Sequence, residues 1–313
     1  MMPQFRRTVF SLMLLHVAIS SGGYLFVKVG LAEFSSLAFA FWRFVIGLAG
    51  LLTATVVLKA WPRIDRKDWP RVLLLGALAV PANQLFYLVG MKHSVPSHAS
   101  LIYGATAVIA LVLSTVLGYE KLQRFKVVAI SVSVLGLVLV VTSSRTPILG
   151  TENFGGDALI TVSMFAWAGY TVFAKPLVAK YGAVQATLAC LMVGTLMGLP
   201  FLIKPALAQD YSILTWRGWI GTAYSGIMST CISYTVWFAL LKRVDPSQVA
   251  IMTTPQPVVT TALSVLILGE ALSLPLITGG LLVIGGVLLM QAPVLLANRR
   301  VAELLKRTHL AKE

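Results

Sequence analysis

Mostly apolar stretches occur along the chain at 9–29, 36–58, 72–91, 97–117, 126–143, 155–175, 183–203, 217–239, 247–268 and 275–295, separated by short polar segments. A helix needs about 20 consecutive apolar residues to cross the hydrocarbon of a bilayer. The pattern therefore predicts an all-α polytopic membrane protein with ten transmembrane helices. Arg6 and Arg7 ahead of the first stretch look like the start of a signal peptide. The apolar run that follows is too long for one and lacks a small-residue cleavage pattern, so it reads as an uncleaved span. Composition agrees, since 58% of the 313 residues are hydrophobic and 12% charged, with a mean hydropathy of +0.86. A soluble domain carries about 25% charged residues and has no core large enough to hide so much apolar surface. Lipid is the solvent for most of this chain. That excludes a cytosolic enzyme, a disulfide-stapled secreted domain and a disordered protein.

The formal charge of +14 would suggest nucleic acid if the basic residues shared one face or arm. They fall instead in the segments between spans, and no nucleic-acid partner is expected. With the N-terminus in the cytoplasm, nineteen of the 25 Lys and Arg lie on the cytoplasmic side and five, Lys28, Lys92, Arg145, Lys204 and Arg217, outside. Arg43 lies within a span. Positive charge concentrates on cytoplasmic segments, so the chain is placed in a cytoplasmic (inner) membrane with both termini on the cytoplasmic side. The basic tail 297–313 has Val301, Leu304 and Leu305 at helical spacing, which suits either solvent or an anionic leaflet. Cys190 and Cys231 lie inside apolar runs and form no metal or redox spacing. No metal site and no cofactor are expected.

A shift of 150 residues brings Lys92 onto Lys242, Pro96 onto Pro246, Ser97 onto Ser247, Ser114 onto Ser264, Glu120 onto Glu270 and Gly136 onto Gly286. Nearer the start, Gly23-Tyr24…Lys28 matches Gly169-Tyr170…Lys175 more loosely. Two repeats follow, 1–147 and 148–296, each of five spans. An odd number turns the second repeat upside down relative to the first. Inverted five-helix repeats enclosing a midplane site are the architecture of secondary transporters.

Several motifs carry a family resemblance. They are GGYLFVKVGL closing the first span, Trp42-Arg43-Phe44, NQLFYLVGMKHSVPSHASLI and LGYEKL in the first half. The second half has GDALITVSMFAWAGYTVFAKPL, SYTVWFALLKRVDPSQVAIMTTPQPVV and GGLLVIGG. In order and spacing the chain resembles the drug/metabolite transporter superfamily, specifically its EamA-type ten-span permeases. The resemblance implies a carrier of small metabolites, amino acids or related compounds foremost, and export over uptake. Two departures matter. Leu117-Gly118-Tyr119-Glu120 is one residue longer than the family's Leu-Gly-Glu, which Leu268-Gly269-Glu270 fits, and Ala107 stands where the other half has Pro257.

Residues too polar for hydrocarbon point to the site, because an ionisable group there faces a cavity or a partner. Arg43 is seven residues into its span, about 10 Å deep at the helical rise. Its guanidinium suits a carboxylate or phosphate, and equally a neighbouring helix's carbonyls. All eleven acidic residues lie at span ends, loops or the tail. A buried carboxylate relay is therefore not expected, and transport is either facilitated export or exchange, or is coupled through His16 or His98. The paired Pro255 and Pro257 predict a broken helix, whose freed carbonyls together with Thr253, Thr254 and Gln256 could face a substrate. Asn83 and Gln84 after Pro81 read the same way. Thr106 and the aromatics Trp42, Tyr87, Tyr103, Trp167, Tyr170 and Tyr234 complete the candidates for an amphipathic pocket.

There is no Walker A, GxSxG or HExxH motif. The reading is a secondary transporter, monomer or homodimer, whose partners are a small-molecule substrate, possibly anionic, and the lipid bilayer. Its rivals are a lipid flippase or a membrane-embedded enzyme acting on an anionic head group.

Overall fold

The computed structural model describes residues 2–94, 99, 102–142, 154–256, 258–259, 274, 277–290 and 292. Pro257, Glu270, His98 and the basic tail lie outside them. Every element among the described residues is helical: α1 Met2–Glu33, α2 Ser36–Val57, α3 Arg66–Lys92, α4 Ile102–Val116, α5 Arg124–Thr142, α6 Phe154–Tyr181, α7 Ala183–Ala208, α8 Trp216–Leu241, α9 Pro246–Ala250 and α10 Ile277–Met290. Six are long and apolar enough to cross a membrane: Arg7–Glu33 of α1, α2, α3, α6, α7 and α8. Helices outrun the apolar stretches; α3 begins at Arg66 and α6 ends at Tyr181. Hydropathy marks the thickness of the hydrocarbon, whereas helical hydrogen bonding continues into the interface.

Local chemistry sets the ends. Ser35 caps α2 by accepting from the Ala38 amide. Gly182, at φ 81°, is the single residue between α6 and α7, in a backbone conformation that favours glycine. Both α3 and α8 widen into π-helix, over Leu78–Leu85 around Pro81 and over Ser225–Ser233. In the second, Thr230 Oγ1 donates to the Ser225 carbonyl at 3.0 Å. The expected break near Pro255 is present. α9 tightens to a 3-10 turn over Ile251–Thr253 because Pro255 has no N–H for the Ile251 carbonyl. That carbonyl accepts instead from the Thr254 amide at 3.1 Å and hydroxyl at 2.7 Å.

Polar side chains point inward and many large apolar ones outward, the reverse of a soluble protein. His16, Arg43, Asn83, Gln84 and Gln256 are buried, while Leu14, Val56, Phe154 and Leu207 are exposed. Helices approach closely at glycine pairs. A Cβ on Gly194 of α7 would lie 2.5 Å from the Gly76 carbonyl oxygen of α3, and one on Gly226 of α8 would lie 3.0 Å from the Arg43 carbonyl oxygen of α2. Gly136 of α5 abuts Gly279 and Val283 of α10, and Gly286 reciprocally abuts Ala129 and Ser133.

Lysines close the helix ends. Lys28 of α1 donates to the Met91 and Ser94 carbonyls at 3.1 and 2.8 Å. Lys92 of α3 returns the contact to Leu31 and Phe34 at 2.7 and 3.3 Å. Lys175 of α6 does the same for Leu241 and Val244 at the end of α8. Near that end Glu120, buried after α4, accepts from Lys126, Ser114 and the Ser247 hydroxyl, and Lys126 reaches Asp245 at 2.9 Å.

Candidate functional site

A cavity of about 100 Å³ lies where α1, α2, α3, α4, α6, α8 and the 253–256 segment meet. From α1 it is lined by His16, Ser20, Gly23, Tyr24 and Val27, one helical stripe. α2 contributes Arg43, α3 Gln84 and Tyr87, α4 Tyr103, and α6 Trp167. α8 adds Ser229, Ser233 and Tyr234, and the broken helix adds Thr253 and Gln256. The π segments and the 3-10 turn thus deliver polar side chains, as such irregular turns commonly do at functional sites.

Among the described residues, Arg43 is the sole Lys or Arg of the lining, and no Asp or Glu accompanies it. Its Nε donates to Thr230 Oγ1 at 2.9 Å. Thr230 is itself fixed on the π segment, so the guanidinium plane is held. Neither Nη group has a protein partner among the described residues, leaving the planar fork for a guest. Desolvated charge without a counter-charge is costly, and an anionic guest relieves that cost.

Aromatic rings form the walls. Trp167 stacks on Tyr170 at 5.4 Å and meets Tyr234 and Trp237 edge-on or tilted at 5.1 Å each. Tyr87 packs edge-on against Tyr103 at 5.6 Å. Hydrogen bonds orient several polar groups. Tyr24 donates to Gln256 Oε1 at 3.0 Å, and Thr253 Oγ1 to the Tyr103 carbonyl at 2.9 Å. Asn83 Nδ2 donates to the Tyr103 hydroxyl at 2.6 Å and the Ser163 carbonyl at 2.7 Å, while its Oδ1 accepts from Gln84. Two buried lining atoms, Gln84 Oε1 and the Tyr234 hydroxyl, have no hydrogen-bond partner. An orphaned buried polar atom costs about 1–3 kcal/mol.

Nine sequence-derived candidates converge on this cavity: His16, Arg43, Gln84, Tyr87, Tyr103, Trp167, Tyr234, Thr253 and Gln256. Five do not line it, Thr254 among them. Asn83 stands behind it, holding Tyr103 and Gln84. Tyr170 is buried behind Trp167, with its hydroxyl unpaired. Thr106 is buried, its hydroxyl likewise unpaired. Trp42 donates to the Tyr211 hydroxyl at 2.9 Å in an aromatic cluster with Phe41 and Trp219. Sequence reasoning missed Ser20, Tyr24, Ser229 and Ser233. Polar or small residues recurring at 16, 20, 23 and 24 were the available signal for the α1 members. A larger recess of about 660 Å³ between α4 and α5 is lined by Val, Leu, Ile, Ser and Thr side chains with no charged group, and offers nothing to orient a polar solute.

The sequence model of the EamA-like transporter family matches the chain twice, over residues 7–142 and 154–291. A transporter of uncharacterised substrate from Archaeoglobus fulgidus is 25% identical over 281 residues, covering 90% of this chain and 96% of that protein. A probable amino-acid metabolite efflux pump of Salmonella typhimurium is 26% identical, covering 88% and 92%. A probable terminal-alkyne amino-acid exporter of Streptantibioticus cattleyicolor is 23% identical, covering 84% and 86%. A protein of known crystal structure shares the fold with a TM-score of 0.72 at 20% identity, over 96% of this chain and 99% of that one. With helices long enough to span a bilayer around a polar cavity, the chain is a multi-pass membrane transporter of small molecules and not an enzyme; it belongs to the EamA-like transporter family.

Proposed function

We propose that this transporter moves a small organic metabolite bearing an anionic group, an amino acid or related compound, out across the cytoplasmic membrane by alternating access. The observation that carries the substrate class is Arg43: a buried guanidinium with two unoccupied Nη groups, no acidic neighbour in the cavity and aromatic walls for an apolar body. The names of the Salmonella and Streptantibioticus relatives support amino acids and export.

The architecture proposed is ten spans in two inverted halves, 1–147 and 148–296, with both termini cytoplasmic and His16, Arg43, Tyr87, Tyr103, Trp167, Tyr234 and Gln256 contacting the substrate. The doubled family match supports it. So does a set of contacts that repeat across the halves. Gly136 against Gly279 and Gly286 against Ala129 are one contact read in both directions at the 150-residue shift. Reciprocity of that kind belongs to a two-fold axis. Likewise the Gly76–Gly194 approach of α3 and α7 has its counterpart in Gly226 and Gly47 of α8 and α2. A lipid flippase needs basic residues at a lateral mouth, whereas the lining cation is the buried Arg43.

The test is efflux from liposomes loaded with amino acids, aromatic acids and their neutral amides. Carboxylates should leave at least tenfold faster than amides. Arg43→Gln should abolish that difference, and lipid-facing Val56→Ala should not. Unaltered carboxylate efflux in Arg43→Gln would sink the assignment.

A further inference from the structure

Besides Arg43, the described residues of the lining include one other side chain that can take up a proton and become a cation, His16. Its Nδ1 lies 2.9 Å from Ser233 Oγ of α8, and its Nε2 lies 3.3 Å from Ser20 Oγ one turn along α1. The two serine hydroxyls are 3.3 Å from each other, closing a triangle. The ring rests on Trp237 at 4.8 Å. A hydroxyl both donates and accepts, so this triangle satisfies either protonation state. With the ring neutral, its N–H donates to one serine oxygen and the bare nitrogen accepts from the other serine. With a proton added, both ring N–H groups donate, and the serine that had donated turns its hydrogen toward its partner serine or the cavity. No backbone or packing contact has to change.

The titratable and charged groups around His16 are few. Tyr24 comes from its own helix, Arg43 from α2, Tyr87 from α3, Tyr103 from α4 and Tyr234 from α8. α6 presents Trp167, and the broken helix presents Thr253 and Gln256. Among the described residues of the lining, the fixed charge is that of Arg43. It opposes a second cation in the same cavity, as burial does, and an anionic guest neutralises it.

We propose that His16 is the proton-binding site of this carrier: when an anionic group occupies the Arg43 fork, one proton from water passes onto the His16 ring. With a monoanionic guest the loaded cavity then carries the same net charge as the empty one. The conformational exchange moves no additional charge into low dielectric, and solute and proton travel together. This rests on the anionic-solute reading above.

The experiment uses the full chain in lipid nanodiscs with ¹⁵N-labelled histidine, His16→Gln identifying the His16 signals among the four histidines. The imidazolium fraction is followed from pH 5 to 8 with no probe, with benzoate and with benzamide. Benzoate should move the His16 midpoint upward by one unit or more, and benzamide should leave it in place. Arg43→Gln without probe should move it in the same direction, since removing the fixed cation and neutralising it are electrostatically alike. In liposomes, benzoate efflux by His16→Gln should lose the pH dependence that the unmutated carrier shows. A midpoint indifferent to both benzoate and Arg43→Gln overturns the proposal. So does a pH dependence that survives in His16→Gln. If efflux keeps its Arg43-dependent preference for carboxylates while the midpoint stays fixed, the proton linkage falls and the transport reading survives. If the preference itself is missing, the transport reading falls first.

Discussion

At the scale of single residues, the chemistry of the cavity is the difference between a fork and a point charge. Arg43 spends Nε on Thr230 and leaves both Nη groups free. Lysine offers the same charge without the planar pair or the bond to Thr230. Losing one charge-assisted hydrogen bond costs about 1.5–3 kcal/mol, so Arg43→Lys should raise KM for a carboxylate roughly ten- to a hundredfold in liposome transport. Tyr234→Phe removes an unpaired buried hydroxyl, which nothing in the folded protein needs. Thermal stability should hold or rise while transport falls, and a loss of stability would show that the hydroxyl is structural. Arg43 was legible in the sequence because a charge inside an apolar run has few explanations. Trp42, its neighbour in sequence, was not legible in the same way. One residue turns the helix by about 100°, and Trp42 faces the Tyr211 and Trp219 cluster instead of the cavity. Asn83 and Gln84 show the same geometry one layer apart, Gln84 lining and Asn83 supporting. Tyr24 went unread because tyrosine in a span has interfacial and packing explanations as good as a binding one.

At the scale of elements, the helices were legible and their irregularities only partly so. Pro81 and Pro255 each announced a departure from α-geometry because the missing N–H is written in the residue type. The π segment of α8 carries no proline, and its signature, a Thr230 hydroxyl bonded five residues back, depends on packing that no periodicity reports. Two substitutions test these elements. Pro255→Ala restores a donor for the Ile251 carbonyl and should let α-geometry run through Ile251–Thr253, displacing Thr253 from the Tyr103 carbonyl. Transport should fall severalfold with stability equal or higher, and unchanged transport would show that the break serves packing alone. Gly194→Val puts side chain against the Gly76 backbone. Overpacking of this kind costs about 1–3 kcal/mol, to be seen as a lower Tm of the carrier in detergent, and an unshifted Tm would mean that α3 and α7 separate freely.

At the scale of the whole molecule, a buried charged cluster ties the two halves together at one end. Glu120 of the first half accepts from Ser247 of the second, and Lys126 of the first reaches Asp245 of the second, which also caps α9 through a capping box with Gln248. At the 150-residue shift the corresponding positions are Glu270, Ser97, Leu276 and Val95. In the sequence the acid and the serine recur, whereas the lysine and the aspartate do not. A device that holds one end shut should therefore yield to charge removal there. The reporter is Ser229→Cys in the cavity of a chain with Cys190 and Cys231 replaced by alanine, labelled by a membrane-impermeant maleimide added to the Glu120 side. Glu120→Gln and Lys126→Met should each speed labelling severalfold. Lys126→Met also strands the buried Glu120, at a cost of about 3–5 kcal/mol, and Glu120→Gln leaves Lys126 with Asp245 alone, so faster labelling alone does not separate opening from loosening. The double variant does. With both charges gone, no buried charge is left stranded within the pair and Tm should recover, yet labelling should stay fast because the tie between halves is still absent. Labelling that returns to the unmutated rate along with Tm would mean the cluster only stabilises the fold and gates nothing.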